Sequence, residues 1–211
     1  MILSDCDLKR SMKEPDGLRV SVLYENSMQP ASIDLHLGRE FVLLSKSREP
    51  RDIFDEDVLN TFNASEFTIF PGRFLLATTE ESVYIPPSMT AFIEGRSSIG
   101  RKGLFIHNAG YIDPGFSGQI TLELYNCSAR PLILHAGMSI CQMVVSTLSS
   151  PVDNPYSGRY QNQQGTTVSR LHFDKTNPEP IPCTNDVKPV IEPVSLSARI
   201  RATIRNLVNR G

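Results

Sequence analysis

The chain has 211 residues, with 21 Lys and Arg against 23 Asp and Glu and a formal net charge of -2. That balance speaks against a broadly basic protein that coats nucleic acid, while leaving room for a local basic pocket. Hydrophobic residues make up 40% of the chain, enough for a sizeable core, and 13 Gly with 15 Pro point to many turns and few long helices.

No uncharged apolar run reaches the length of a membrane span, and the opening MILSDCDLKR is charged from Asp5 onward, so neither a span nor a secretory leader is expected. Cys6, Cys127, Cys141 and Cys183 form no CxxC pair, and the four histidines are scattered. A structural zinc site and a disulfide framework therefore lack support, and a reducing cytoplasm is the expected setting.

Residues 2–12 are predicted as a short helix, with Ser4 capping a first turn that carries Asp5 and Asp7. Pro15-Asp16-Gly17 turns the chain into a brief strand at 18–23. Ser32 to Leu37 alternates polar and apolar residues as a strand, Gly38 is read as a turn, and 39–44 as a second strand. The charged run 46–57 reads as a surface loop. Strands follow at 67–70, 74–79, 82–85, 90–94, 119–125, 131–134 and 139–148, separated by Pro71-Gly72, Pro86-Pro87 and His135-Ala136-Gly137. Many short strands without crossover helices predict an all-β fold, a sandwich, barrel or jelly roll. The polar stretch 149–165 suits either a disordered segment or a loop that covers a ligand. Residues 175–211 read as a Pro-rich, basic tail rather than a second domain.

Three constellations carry chemistry. Arg96-Ser97-Ser98-Ile99-Gly100-Arg101 offers two guanidinium groups and two hydroxyls, a set suited to phosphate oxygens; two solvated arginines on a turn are the plainer reading. Gly110-Tyr111-Ile112-Asp113-Pro114-Gly115 offers an aromatic to lie against a sugar or base and a carboxylate for a hydroxyl; an ordinary hairpin with Asp113 as its cap explains the same residues. In the strand 119–125, Leu122 and Leu124 face one side, and Thr121, Glu123 and Tyr125 the other. An enclosed Glu123 could shuttle protons, whereas an edge position would leave it simply solvated. No P-loop order, no GxSxG elbow and no zinc-deaminase signature is present. A Ser-His-Asp set from Ser97 or Ser98, His107 and Asp113 has no supporting motif, and His107 reads as a structural histidine.

In order and spacing, these segments resemble the dCTP deaminase branch of the dUTPase superfamily, closest to its bifunctional, dUMP-forming type. The resemblance rests on MILSD, QPASIDLHLG, PGRFLLATTEESVYIP, EGRSSIGRKG, AGYIDPGFSGQITLELYN and GRYQNQQG, and covers roughly residues 1–171. It implies a distorted β jelly roll, or β-clip, over residues 1–174, with 150–174 covering substrate, and a homotrimer whose active sites are shared between subunits. The implied substrates are dCTP and dUTP, with magnesium carried on the triphosphate and dTTP as an inhibitor at the same site. By motif match Glu123 would be the general base and acid, and Ser97 and Arg101 would hold water and base. Arg96 and Ser98 would meet phosphate. Asp113 would take the 3'-hydroxyl and Tyr111 the deoxyribose, beside Gly110. Tyr156, Arg159 and Gln163 would close over the triphosphate, with Gln142 near the sugar or phosphate.

Two features depart from the family pattern. His107-Asn108-Ala109-Gly110 is one residue shorter than usual, and Arg159 stands where many deaminases have Lys. Ala109-Gly110-Tyr111-Ile112-Asp113 is closer to the form found in deaminases that carry dCTP through to dUMP and pyrophosphate. The alternatives are a deaminase that stops at dUTP, a dUTP pyrophosphatase, and a nucleotide-binding regulator without turnover, the last motivated by the tail.

Overall fold

The computed structural model describes residues 1–44, 50, 52–55, 59–107 and 110–174. The chain divides into two units, 1–175 and 176–211; the second, with most of the loop expected at 46–57, lies outside the described residues.

Helix α1 (Asp5–Ser11) opens the fold, and Ser4 caps it as expected, its side chain accepting from the Asp7 amide. Strands β1 (Arg19–Val20) and β2 (Met28–Gln29) are two residues each. Strand β3 (Ser32–Leu44) is the longest, and β4 (Leu59–Asn63) and β5 (Glu66–Ile69) follow. Strand β6 (Phe74–Tyr84) and strand β7 (Met89–Gly95) lead to the one-turn helix α2 (Ser97–Gly100). Strands β8 (Leu104–His107), β9 (Tyr111–Ile112) and β10 (Ser117–Asn126) precede β11 (Leu132–His135) and β12 (Ser139–Thr147). A 3-10 turn at Leu171–Asp174 closes the described chain.

Ten strands form one antiparallel sheet in the order β8-β10-β6-β3-β12-β7-β9, with β1 on β6 and β2 and β4 on β3; β11 and β5 pair separately. Central strand β3 is buried on both faces from Ser32 to Gly38, whereas β10 buries one. Along β10, Leu122 and Leu124 are fully buried while Thr121 and Glu123 are half-buried on the opposite face, as the alternation predicts. Each such buried leucine contributes about 1.5–3 kcal/mol. Phe41 stacks on Phe62 and Phe67 and ties β3 to β4 and β5.

Two expected breaks are absent. Gly38 is no turn: β3 runs through it, because its missing side chain lets β6 approach. A Cβ there would stand 2.8 Å from Thr78 Cγ2. The strands expected at 74–79 and 82–85 are one strand, since Glu81 is 1% exposed and paired with the imidazole of His36 instead of breaking the strand toward solvent. Strands β4 and β8 and helix α2 were not anticipated.

Candidate active site

A cleft of about 480 Å³ lies against the outer face of β10, a volume suited to a nucleotide-sized ligand. Its lining includes Glu123 and Thr121 from β10, Tyr111 and Asp113 from the β9 turn, and Tyr156, Tyr160 and Gln163 from the segment after β12. Leu44, Leu59, Phe74 and Leu76 make an apolar end.

Strand pairing places Glu123 between Leu76 of β6 and His107 of β8. Its Oε2 lies 3.2 Å from His107 Nδ1, with the glutamate side chain 36% exposed and the imidazole 81%. His107 is thus hydrogen-bonded to Glu123, within the expectation of a structural histidine; its place opposite Glu123 depends on strand register, which the sequence alone did not supply. Asp113 is exposed, and its turn is closed by its main-chain carbonyl, which accepts from the Phe116 amide at 3.1 Å. The carboxylate is therefore free of the capping duty and lines the cleft. The Tyr111 ring meets Phe92 edge-on at 5.5 Å and remains half-exposed. Gly110 ends its strand link with a carbonyl that accepts from the Ile93 amide; Asn108 and Ala109 lie outside the described residues.

The segment after β12 is ordered against the sheet. The Tyr156 amide donates to the Pro114 carbonyl at 2.8 Å, its ring packs on Phe116, and its hydroxyl accepts from the Tyr160 amide. Tyr160, Thr167, Val168 and Ser169 also join the lining; they fall in the expected covering segment 150–174, with no role assigned to them from sequence.

The remaining sequence-predicted residues lie elsewhere. Arg96 is held by Asp34, at 3.2 Å, and by the Ser139 carbonyl. Burial pushes the Asp34 carboxyl above its ordinary value, with Arg96 and His36 opposing that rise. Gln142 is the strand partner of Asp34, and its side chain meets Ser32. Ser97 and Ser98 on α2, and Arg101 after it, are exposed. The Arg159 guanidinium donates to the carbonyls of Arg170 and Phe173 and lies 5.5 Å from the Phe173 ring centre. None of these lines the cleft, and no Lys or Arg is among its described lining residues. Nor does any group of three His, Cys, Asp or Glu among the described residues suit a bound metal ion.

An all-β scaffold, a carboxylate pair and a nucleotide-sized cleft define a class of small-molecule enzyme, and comparison with known proteins gives the family. Residues 2–148 match the dCTP deaminase-like family. The chain is 45% identical over 180 residues to the "dCTP deaminase, dUMP-forming" of Persephonella marina (83% of this chain, 99% of that protein). It is 44% identical to the protein of the same description from Aquifex aeolicus (83% and 97%), and 42% identical to the "dCTP deaminase" of Natronomonas pharaonis (83% and 97%). Among solved structures, the 2'-deoxycytidine 5'-triphosphate deaminase of Agrobacterium tumefaciens shares the fold at a TM-score of 0.54 and 24% identity; the match covers 68% of this chain and 47% of that one. The chain belongs to the dCTP deaminase-like family.

Proposed function

We propose that this protein deaminates dCTP at cytosine C4 and then hydrolyses the resulting dUTP to dUMP and pyrophosphate in the same site. The observation that carries this reading is Glu123 on the wall of the nucleotide-sized cleft, facing the space shared with Asp113, in a chain similar to dUMP-forming deaminases. Glu123 takes a proton from water as the oxygen adds to C4, and passes it to N3. A second proton moves from the new hydroxyl to the amino group, which leaves as ammonia while C4 becomes a carbonyl. Ser97 and Arg101 hold the water and the developing oxyanion. Tyr111 lies against the deoxyribose and Asp113 takes its 3'-hydroxyl; Asp113 then orients a second water toward the α-phosphate.

The absence of Lys and Arg from the described lining residues supports a homotrimer in which a neighbouring subunit lends Ser97, Arg101 and the phosphate contacts Arg96, Ser98 and Gln142 to each cleft. A triphosphate needs several charge-assisted partners, and the described lining residues include no Lys or Arg. Tyr156, Gln163 and Arg159 close over the phosphates, and residues 150–174 act as part of the enzyme domain. Magnesium fits as an ion carried on the triphosphate, since it is readily held through phosphate oxygens and one or two carboxylates, and it would offset phosphate charge there. dTTP competes for the same cleft. No described helix is long and apolar enough to cross a membrane, and free Cys6, Cys127 and Cys141 suit a cytoplasmic setting.

Incubation with dCTP and magnesium, measuring ammonia while resolving dUTP, dUMP and pyrophosphate, tests the reading. Ammonia matched by dUMP is expected. Ammonia with dUTP alone would identify a single-step deaminase, and dUTP hydrolysis without ammonia a pyrophosphatase.

A further inference from the structure

The segment after β12 reaches the cleft along a defined path, and the groups that fix the path lie outside the residues assigned to substrate. A parallel bridge joins Gly118 and Gln163. The Gln119 amide donates to the Gln163 carbonyl at 3.0 Å, and the Gln119 carbonyl accepts from Gln163 Nε2 at 2.6 Å. The Gln119 side chain adds a second tie: Oε1 accepts from the Gly165 amide at 2.6 Å while Nε2 donates to the Thr79 carbonyl on β6 at 2.9 Å. Glu40 on β3 takes the next residue, its carboxylate accepting from the Thr166 amide and its main-chain carbonyl from the Thr166 hydroxyl at 2.8 Å. Strands β10 and β3 thus grip Gln163, Gly165 and Thr166.

Backbone shape on both sides agrees with this docking. Gly165 has φ +67°, and a Cβ there would come 2.5 Å from Glu40 Oε1. A Cβ on Gly118 would come 2.9 Å from the main-chain N and O of Gln163. Only side-chain-free backbone fits at these two approaches.

We propose that Glu40 and Gln119 are positioning residues that clasp residues 163–166 and so set the fraction of molecules in which Tyr160, Gln163 and Thr167 wall the cleft beside Glu123. The inference rests on the reading of this cleft as the dCTP site. A carboxylate accepting from a main-chain amide is among the stronger hydrogen bonds, and the Gln119 amide group bridges the segment to β6. When only a fraction of molecules is competent to bind, the apparent affinity falls by that fraction. The clasp therefore acts on KM and leaves the chemical step alone.

Limited trypsin digestion of the full chain, following fragments that end at Arg159 and Arg170 by mass, reads the clasp; steady-state dCTP turnover on the same preparations reads its effect. The Glu40→Ala/Gln119→Ala double variant should be cut at these sites about tenfold faster, with KM about tenfold higher and kcat within about twofold of the parent. Glu40→Gln, which keeps an acceptor oxygen, should stay near the parent in both. Cleavage of the double variant at the parental rate overturns the proposal, and so does a lower kcat at unchanged KM. Absence of ammonia release by the parent chain would overturn the dCTP reading instead, and the cleavage rates would then decide the clasp by themselves.

Discussion

Glu123 Oε2 and His107 Nδ1 lie 3.2 Å apart at directly facing positions of β10 and β8. The pair joins a carboxylate that lines the cleft to an exposed imidazole outside its lining. On the proposed mechanism Glu123→Gln keeps the shape and removes the base, so ammonia release should fall by about 10²–10⁴, the usual weight of a positioned acid-base group. Binding of dCTP and hydrolysis of added dUTP should survive, because the proposed mechanism gives the second step to Asp113. His107→Ala should give a smaller loss, confined to kcat, since it orients the carboxylate without replacing it. Single-turnover ammonia release from dCTP, with dUMP formation from dUTP measured alongside, separates these effects.

Asp34 is 4% exposed and paired with Arg96, yet burial raises its carboxyl above the ordinary 3.8. The folded chain therefore holds a proton there at a pH where the unfolded chain has released it. Its contribution to stability is full below 3.8 and is lost as pH rises through the folded value. Asp34→Asn abolishes that titration. The unfolding free energy of the parent, relative to the variant, should thus grow as pH is lowered from neutral toward the carboxylate range. Urea unfolding of both chains across that interval measures it; a constant difference would contradict the buried carboxylate.

His36 and Glu81 form a second buried pair, with Nδ1 to Oε1 at 2.6 Å and the His36 amide donating to Oε2 at 2.9 Å. His36 Nε2 lies 3.2 Å from the Ser139 hydroxyl, so the pair joins β3, β6 and β12. Glu81→Ala leaves a buried main-chain amide and an imidazole without their acceptor. Removing one partner of a buried pair costs about 3–5 kcal/mol, and a loss of that order is expected in urea unfolding. An exposed carboxylate such as Glu66, near His135, should cost about 1 kcal/mol or less on the same change.

The strand of β10 was legible because its signal is local: Leu122 and Leu124 alternate with Thr121 and Glu123, and the period alone assigns their faces. The Ser4 cap was legible for the same reason. Gly38 and the run Glu80-Glu81 misled because their explanations are 40 or more residues away, in the close approach of Thr78 and the imidazole of His36. His107 likewise acquires its role only from register with β10. For the site, motif resemblance gathered twelve residues into one set, whereas the folded chain places only Glu123, Tyr111, Asp113, Tyr156 and Gln163 along the cleft. A motif groups residues by type and order; it does not say which of them share a wall in the folded chain.

That division leads to a test by subunit mixing. If Glu123 of one subunit works with Arg101 of another, Glu123→Gln and Arg101→Ala should each be inactive as pure assemblies. Mixed after reversible unfolding and refolded together in equal amounts, they should regain activity. In a closed ring each cleft draws one residue from each of two neighbours, so about a quarter of the clefts receive both intact groups. Ammonia release near that fraction of the parent is expected, rising and falling with the mixing ratio and highest at equal amounts. Were Arg101 instead to act in the cleft of its own chain, every cleft in the mixture would carry one defect, and activity would stay at the level of the pure variants. The lack of Lys and Arg among the described lining residues favours the first result.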